Sequence, residues 1–140
     1  MTTSESDTVQ ATTMASGPVT LTVPPIASMV RVGRLTASSI ASLADMTVDD
    51  IDDIKIAVSE MITLLIQSGS RAAVTLRFET TSESFVIEAT TPATSLDLGR
   101  NDLALATAVL DAVSDSHEVV FVDDRILMRM VKATSAASRR

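Results

Sequence analysis

Cysteine is absent from this 140-residue sequence, and so are tryptophan and tyrosine. Without cysteine there is neither a disulfide nor a thiolate metal site. The one histidine, His117, cannot build a histidine cluster by itself. With only three phenylalanines, any core must be filled by Val, Ile, Leu, Ala and Met. The four glycines, Gly17, Gly33, Gly69 and Gly99, stand far apart, so no glycine-rich phosphate loop is written into the chain. No apolar run reaches the ~20 residues that span a bilayer. The first ten residues carry Ser, Thr, Glu and Asp, with neither the basic start nor the apolar centre of a secretory signal, so a cytoplasmic location is expected. A net charge of −7 argues against direct nucleic-acid binding, which needs Lys and Arg to displace phosphate counterions. It suits a protein partner with a basic surface.

What is present suffices for one folded domain. Apolar residues make up 46% of the chain, too many for a disordered one. The Thr/Ser-rich segment 1–16 reads as a mobile tail closed by Gly17-Pro18, residues 17–132 as the folded unit, and 133–140 as a second tail.

Val19–Val23 alternates apolar and polar residues, the period of a half-buried strand. Pro24-Pro25 ends it and opens a helix over Ile26–Ala44, with Ile26, Met29, Val30, Val32, Leu35, Ile40 and Leu43 as its apolar set. A second helix is expected over Asp49–Gln67. Strands over Ala73–Glu79 and Phe85–Ala89 form a hairpin turned at Thr80–Ser82. Thr90–Arg100 reads as an irregular loop, Asp102–Ser114 as a third helix with Leu103, Leu105, Ala106, Val109, Leu110 and Val113 as its apolar set. Val119–Val122 and Ile126–Val131 pair as a hairpin across Asp123-Asp124. This order predicts an α+β two-layer sandwich, with helices on one face of a mixed, mostly antiparallel sheet.

The Asp49–Gln67 segment is the most informative. Ile51, Ile54, Val58, Met61, Ile62 and Leu65 recur at spacings of three and four, so they share one helical face. The acids from Asp49 to Asp53 sit at the positive end of the helix dipole; that placement explains them better than a calcium loop, which needs a turn glycine. Gly69 marks a stop. One carboxylate, Glu60, lies within the otherwise apolar second half. It is either a general base or a carboxylate capped by an arginine, Thr63 or water, and the second reading is preferred because any buried carboxylate needs partners.

Ala57-Val58-Ser59-Glu60, followed by Thr63, resembles the first ATP-binding helix of the anti-sigma-factor serine/threonine kinases, a branch of the GHKL (histidine-kinase-like) ATPase superfamily. The resemblance implies that superfamily's two-layer fold over Val19–Val131, with ATP between the Glu60 helix, the loop after Ala89 and the start of the Asp102 helix. Glu60 would act at the terminal phosphate. The Asn expected to hold Mg²⁺ is Leu64 here. The Asp-x-Gly-x-Gly that receives adenine falls on Thr90, Pro92 and Thr94, with Glu88 a candidate substitute for the Asp. The Gly-Leu-Gly-Leu phosphate cradle falls on Ala104-Leu105-Ala106-Thr107. With the metal ligand, the adenine acceptor and the phosphate glycines all replaced, no cofactor is expected, although the resemblance itself implies ATP and Mg²⁺.

The resemblance further implies an anti-sigma factor: a homodimer that sequesters an RNA polymerase sigma factor and is released by a STAS-domain antagonist. Arg31 and Arg34, on the first helix, would contribute to the partner surface; the alternative is an ordinary solvated helix face. Two other readings stay open, an active kinase using Glu60 and a homodimeric module with no transcriptional role. His117 reads as a surface or strand-edge imidazole. The seven methionines read as core filler.

Overall fold

The computed structural model of the chain describes residues 17–93 and 100–134. Five strands form one sheet in the order β1-β2-β3-β5-β4, and three helices cover one of its faces. The strands are β1 (Val19–Val23), β2 (Val74–Thr80), β3 (Ser84–Pro92), β4 (Ser116–Val122) and β5 (Arg125–Ala133). The helices are α1 (Met29–Leu43), α2 (Val48–Gln67) and α3 (Arg100–Val113). The expected α+β sandwich with a mostly antiparallel sheet is what forms, and all four strand pairs among the described residues are antiparallel. The expected tail at 1–16, residues 135–140 of the tail expected over 133–140, and residues 94–99 of the expected loop, Thr94 among them, lie outside the described residues.

The helix-facing side of the sheet follows from register. Leu76 and Phe78 of β2 lie opposite Ala89 and Ile87 of β3, which lie opposite Met128 and Met130 of β5. All six are buried, and α2 packs its Ile54, Ala57, Val58, Met61, Ile62 and Leu65 into the same core. The opposite side of the sheet carries a cross-strand row of alternating charge, Arg77, Glu88, Arg129 and Glu118. An antiparallel sheet with one dry and one wet face has this two-sided pattern.

α2 begins one residue earlier than predicted because Thr47 caps it, its hydroxyl accepting from the Asp50 N–H at 3.1 Å. It ends where expected: Gly69 adopts φ +74°, the left-handed region that glycine enters without a Cβ clash. The two-residue turn Asp123-Asp124 has φ of 52° and 56°, the doubly left-handed geometry of tight hairpins.

Three expectations fail for physical reasons. α1 starts at Met29, not Ile26, since Pro24 to Ser28 forms tight turns closed by Ile26 N–H to Pro24 C=O and Met29 N–H to Ile26 C=O. Its buried face is Gly33, Ala37 and Ala41, while Val32, Leu35 and Leu43 are exposed. α1 approaches α2 so closely that a Cβ on Gly33 would stand 2.3 Å from Ile62 Cδ1, leaving room only for small side chains. Second, β3 continues to Pro92, so Thr90 and Pro92 belong to a strand and not to an irregular loop. Third, β5 runs through Ala133, and Thr134 is anchored by its N–H to Glu83 C=O and its hydroxyl to Ser82 C=O, so the fold passes the expected boundary at 132.

Lys132, on the helix-facing side of β5, ties the two layers together. Its ammonium donates to Asp53 Oδ2 at 3.1 Å and to the Val113 carbonyl at 3.2 Å, with Asp50 Oδ1 at 3.9 Å. The acids at the start of α2 thus complement a largely buried cation as well as the helix dipole. Lys132→Met is expected to lower stability by ~1–3 kcal/mol, because it strips a partly buried carboxylate pair and a helix-end carbonyl of their donor. A urea midpoint shift with unchanged slope would measure it; a midpoint at or above that of the parent would refute the tie.

Candidate functional site

Two places gather the residues singled out by sequence. One is the region of Glu60 and Leu64 on α2, the end of β3 and the first turns of α3. Glu60 is half-buried on α2, less enclosed than expected. It makes no hydrogen bond or ion pair among the described residues, so the expected cap by an arginine or Thr63 is not there. One turn on, Leu64 is 1% exposed and part of the hydrophobic core. A side chain at that position cannot reach a hydrated cation.

β3 does not bring Thr90 to the helix-facing side of the sheet. Phe85, Ile87 and Ala89 face the helices, and strand alternation puts Thr91, not Thr90, on that side. Thr90 lies on the open face, where its hydroxyl accepts from Arg125 Nε at 3.0 Å. Glu88 lies there too, within 3.4 Å of Arg77 and 3.8 Å of Arg129, and is spent on the charge row. Thr91 is the residue that sequence reasoning missed. It is fully buried, with its hydroxyl 2.9 Å from Ser70 Oγ and donating toward the Ala73 carbonyl at 3.1 Å. Its polar capacity is used to hold the connection after α2. The period-two run Phe85, Ile87, Ala89, Thr91 was the available signal. Pro92 is exposed at the strand end and Thr94 lies outside the described residues.

Ala104 and Ala106 fall inside α3, past its first four residues. The backbone N–H groups there are directed up the helix, and only the first four of a helix are free for an anion. Ala106 is buried and the Thr107 hydroxyl donates to the Leu103 carbonyl at 2.7 Å. A core leucine at the metal position and a closed helix at the phosphate position do not fit Mg·ATP in the manner the resemblance describes.

The second place is the surface groove between α1 and α2. Arg31 and Arg34 are exposed on α1, one turn apart, and make no ion pair among the described residues. They line an open groove of about 280 Å³ with Leu35, Ser38 and, from α2, Lys55. Lys55 reaches Asp52 at 3.7 Å, an exposed pair that leaves its charge available. In a chain of net charge −7, three cations and an exposed leucine share this groove.

The described part of the chain is similar in fold to a solved structure, that of the RsbU and RsbW domains of Rv1364c from Mycobacterium tuberculosis, with a TM-score of 0.70 and 11% identity. The match covers 84% of this chain and 32% of that one. The shared fold is an α+β two-layer sandwich, three helices over an antiparallel five-stranded sheet. At this identity the likeness is one of fold, and this chain spans about a third of that chain's length. No protein-family model matches the sequence, and no curated protein matches it. Among the described residues no helix is long and apolar enough to cross a membrane.

Proposed function

We propose that this chain is an anti-sigma factor acting in the cytoplasm by binding alone: it sequesters an RNA polymerase sigma factor, and a STAS-domain antagonist releases it by competing for the same surface. The single observation that carries this reading is the open cationic groove of Arg31, Arg34 and Lys55, in a fold where the position that the resemblance gives to a metal ligand holds the buried Leu64. Likeness in fold to a structure containing an RsbW domain supports it, as does the Ala57–Glu60 motif. Partner binding needs neither Mg²⁺ nor a phosphate cradle, so the role survives loss of both. Arg31 and Arg34 are the residues assigned to the partner surface.

One observation favours a second reading, a serine/threonine kinase that phosphorylates its antagonist. Glu60 is half-exposed and has no partner among the described residues, as an available general base would be. The two readings separate in one experiment with two arms. Affinity capture from native lysate should recover a sigma factor, with or without nucleotide. The melting temperature should not move when Mg·ATP is added to ~5 mM, since a ligand at a hundred times its Kd adds ~2.7 kcal/mol. A rise of several degrees together with phosphate transfer to the antagonist would establish the kinase. Recovery of no sigma factor would reject the binding role.

A further inference from the structure

The cationic groove lies within reach of a stretch of this chain that carries the opposite charge. Residues 1–16 contain Glu5 and Asp7 and neither lysine nor arginine. Gly17 and Pro18 then lead into β1. The position of that strand's first residue decides whether the acids can reach the groove.

Val19 lies opposite Phe78, close to the end of β2 at Thr80. Thr80 lies opposite Phe85, and Phe85 opposite Lys132, whose ammonium meets Asp53 in the second turn of α2. β1 therefore starts at the end of the sheet where α2 starts. α1 runs the other way along α2, joined to it by residues 44–47, so its last turn lies at that same end. It also packs on β2, the neighbour of β1. The chain before Gly17 thus meets the fold beneath the last turn of α1, on the groove's own side of the molecule.

Length permits the contact. From the sheet to the outer surface of the helix layer is ~15 Å, and from the end of α1 back to Arg34 is ~14 Å of helix. The stretch from Asp7 to Gly17 spans up to ~33 Å when extended. Register permits it too. A chain arriving from that end runs antiparallel to α1, and along it Glu5, Asp7 and Val9 share one side at steps of ~7 Å. Arg31 and Arg34 follow each other at ~5 Å on one face of α1, and Leu35 comes next. Glu5 then falls to Arg31, Asp7 to Arg34 with Lys55 across the groove, and Val9 to Leu35, which is 62% exposed.

We propose that residues 1–16 dock in the groove between α1 and α2, with Glu5 and Asp7 paired to Arg31 and Arg34, as a built-in competitor of the partner. Exposed ion pairs of this kind are individually weak. A tether of this length supplies an effective concentration in the millimolar range, which lets weak pairs hold the groove until a partner with more contacts displaces them. The docking stands on charge, length and register. Its regulatory meaning rests on the reading of this groove as the partner surface.

The chain has no cysteine, so Ser4→Cys offers a single site for a nitroxide spin label beside Glu5. In the full chain, the amide resonances of Arg31, Arg34, Leu35, Ser38 and Lys55 should lose at least about half of their intensity relative to the reduced label. Glu5→Gln with Asp7→Asn keeps the tether and removes its charge; it should return most of that intensity, as should ~0.5 M salt. Broadening that survives neutralisation, or that falls away from α1 and α2, would overturn the docking. In a second arm, the neutralised full chain should bind the sigma factor at least ~5-fold more tightly than the parent, because the competitor is gone. Equal affinity would overturn the competitor role. If neither chain binds a sigma factor, the function proposed above fails and the competitor role with it, while the label still decides the docking.

Discussion

Leu64→Asn, the substitution that restores the metal ligand expected from the ATPase motif, should lower stability by ~3–5 kcal/mol and create no nucleotide affinity. Leu64 is 1% exposed and belongs to the continuous core. Removing its apolar contacts costs ~2 kcal/mol or more, and an amide left without partners adds ~1–3 kcal/mol. For a domain of this size that corresponds to a fall of ~10–20 °C in melting temperature. Leu64→Met is the control, because it conserves volume and should cost less than ~1.5 kcal/mol. Thermal unfolding with and without Mg·ATP reads both effects. If the asparagine variant melts near the parent and gains stability with Mg·ATP, position 64 opens onto a working cleft and the binding-only reading falls.

That prediction depends on what stands at the positions where the resemblance expects Mg·ATP to be held. Loss of an asparagine alone leaves a polar pocket that water and a metal can still enter. Here the replacement is apolar and packed, the neighbouring strand commits Thr91 to Ser70 and Ala73, and α3 continues as helix across Ala104 to Thr107. Ala in place of Gly also favours regular helix by ~1 kcal/mol per residue. The three substitutions therefore reinforce one another.

Where the sequence was informative, side-chain period and burial had one solution. The three–four spacing from Ile51 to Leu65 could fit only a helix with one apolar face, and Gly69 could end it in a left-handed turn. The alternation in β2 and β3 likewise assigned their faces, although Pro92 suggested a loop three residues too soon. α1 misled because its buried stripe is Gly33, Ala37 and Ala41, chosen for smallness, while larger apolar residues such as Leu35 lie outside. Hydrophobic pattern reports affinity for the core and says little about how close two helices must come. The insertion of β5 between β3 and β4 had no local signal, since it depends on how α3 crosses the sheet. The candidate groove was half legible. Arg31 and Arg34 stood one turn apart in sequence, but Lys55 joins them only through the contact of α1 with α2.

The largest effect on binding is expected from reversing that groove. Arg31→Glu combined with Arg34→Glu should weaken capture of the sigma factor by at least ~100-fold, equivalent to ~2.8 kcal/mol, while shifting stability by less than ~0.5 kcal/mol. Both side chains are exposed and make no ion pair among the described residues, so the fold loses nothing by their removal. An acidic segment of the partner would lose two favourable contacts and meet two repulsive ones, with Lys55 left as the only cation lining the groove. Parent binding should also weaken as salt rises, and the double variant should show a much flatter dependence. Surface plasmon resonance across salt concentrations, with circular dichroism melts on the same samples, separates binding from folding. Unchanged affinity in the double variant would mean that α1 presents a solvated face only, and that the partner docks elsewhere on the molecule.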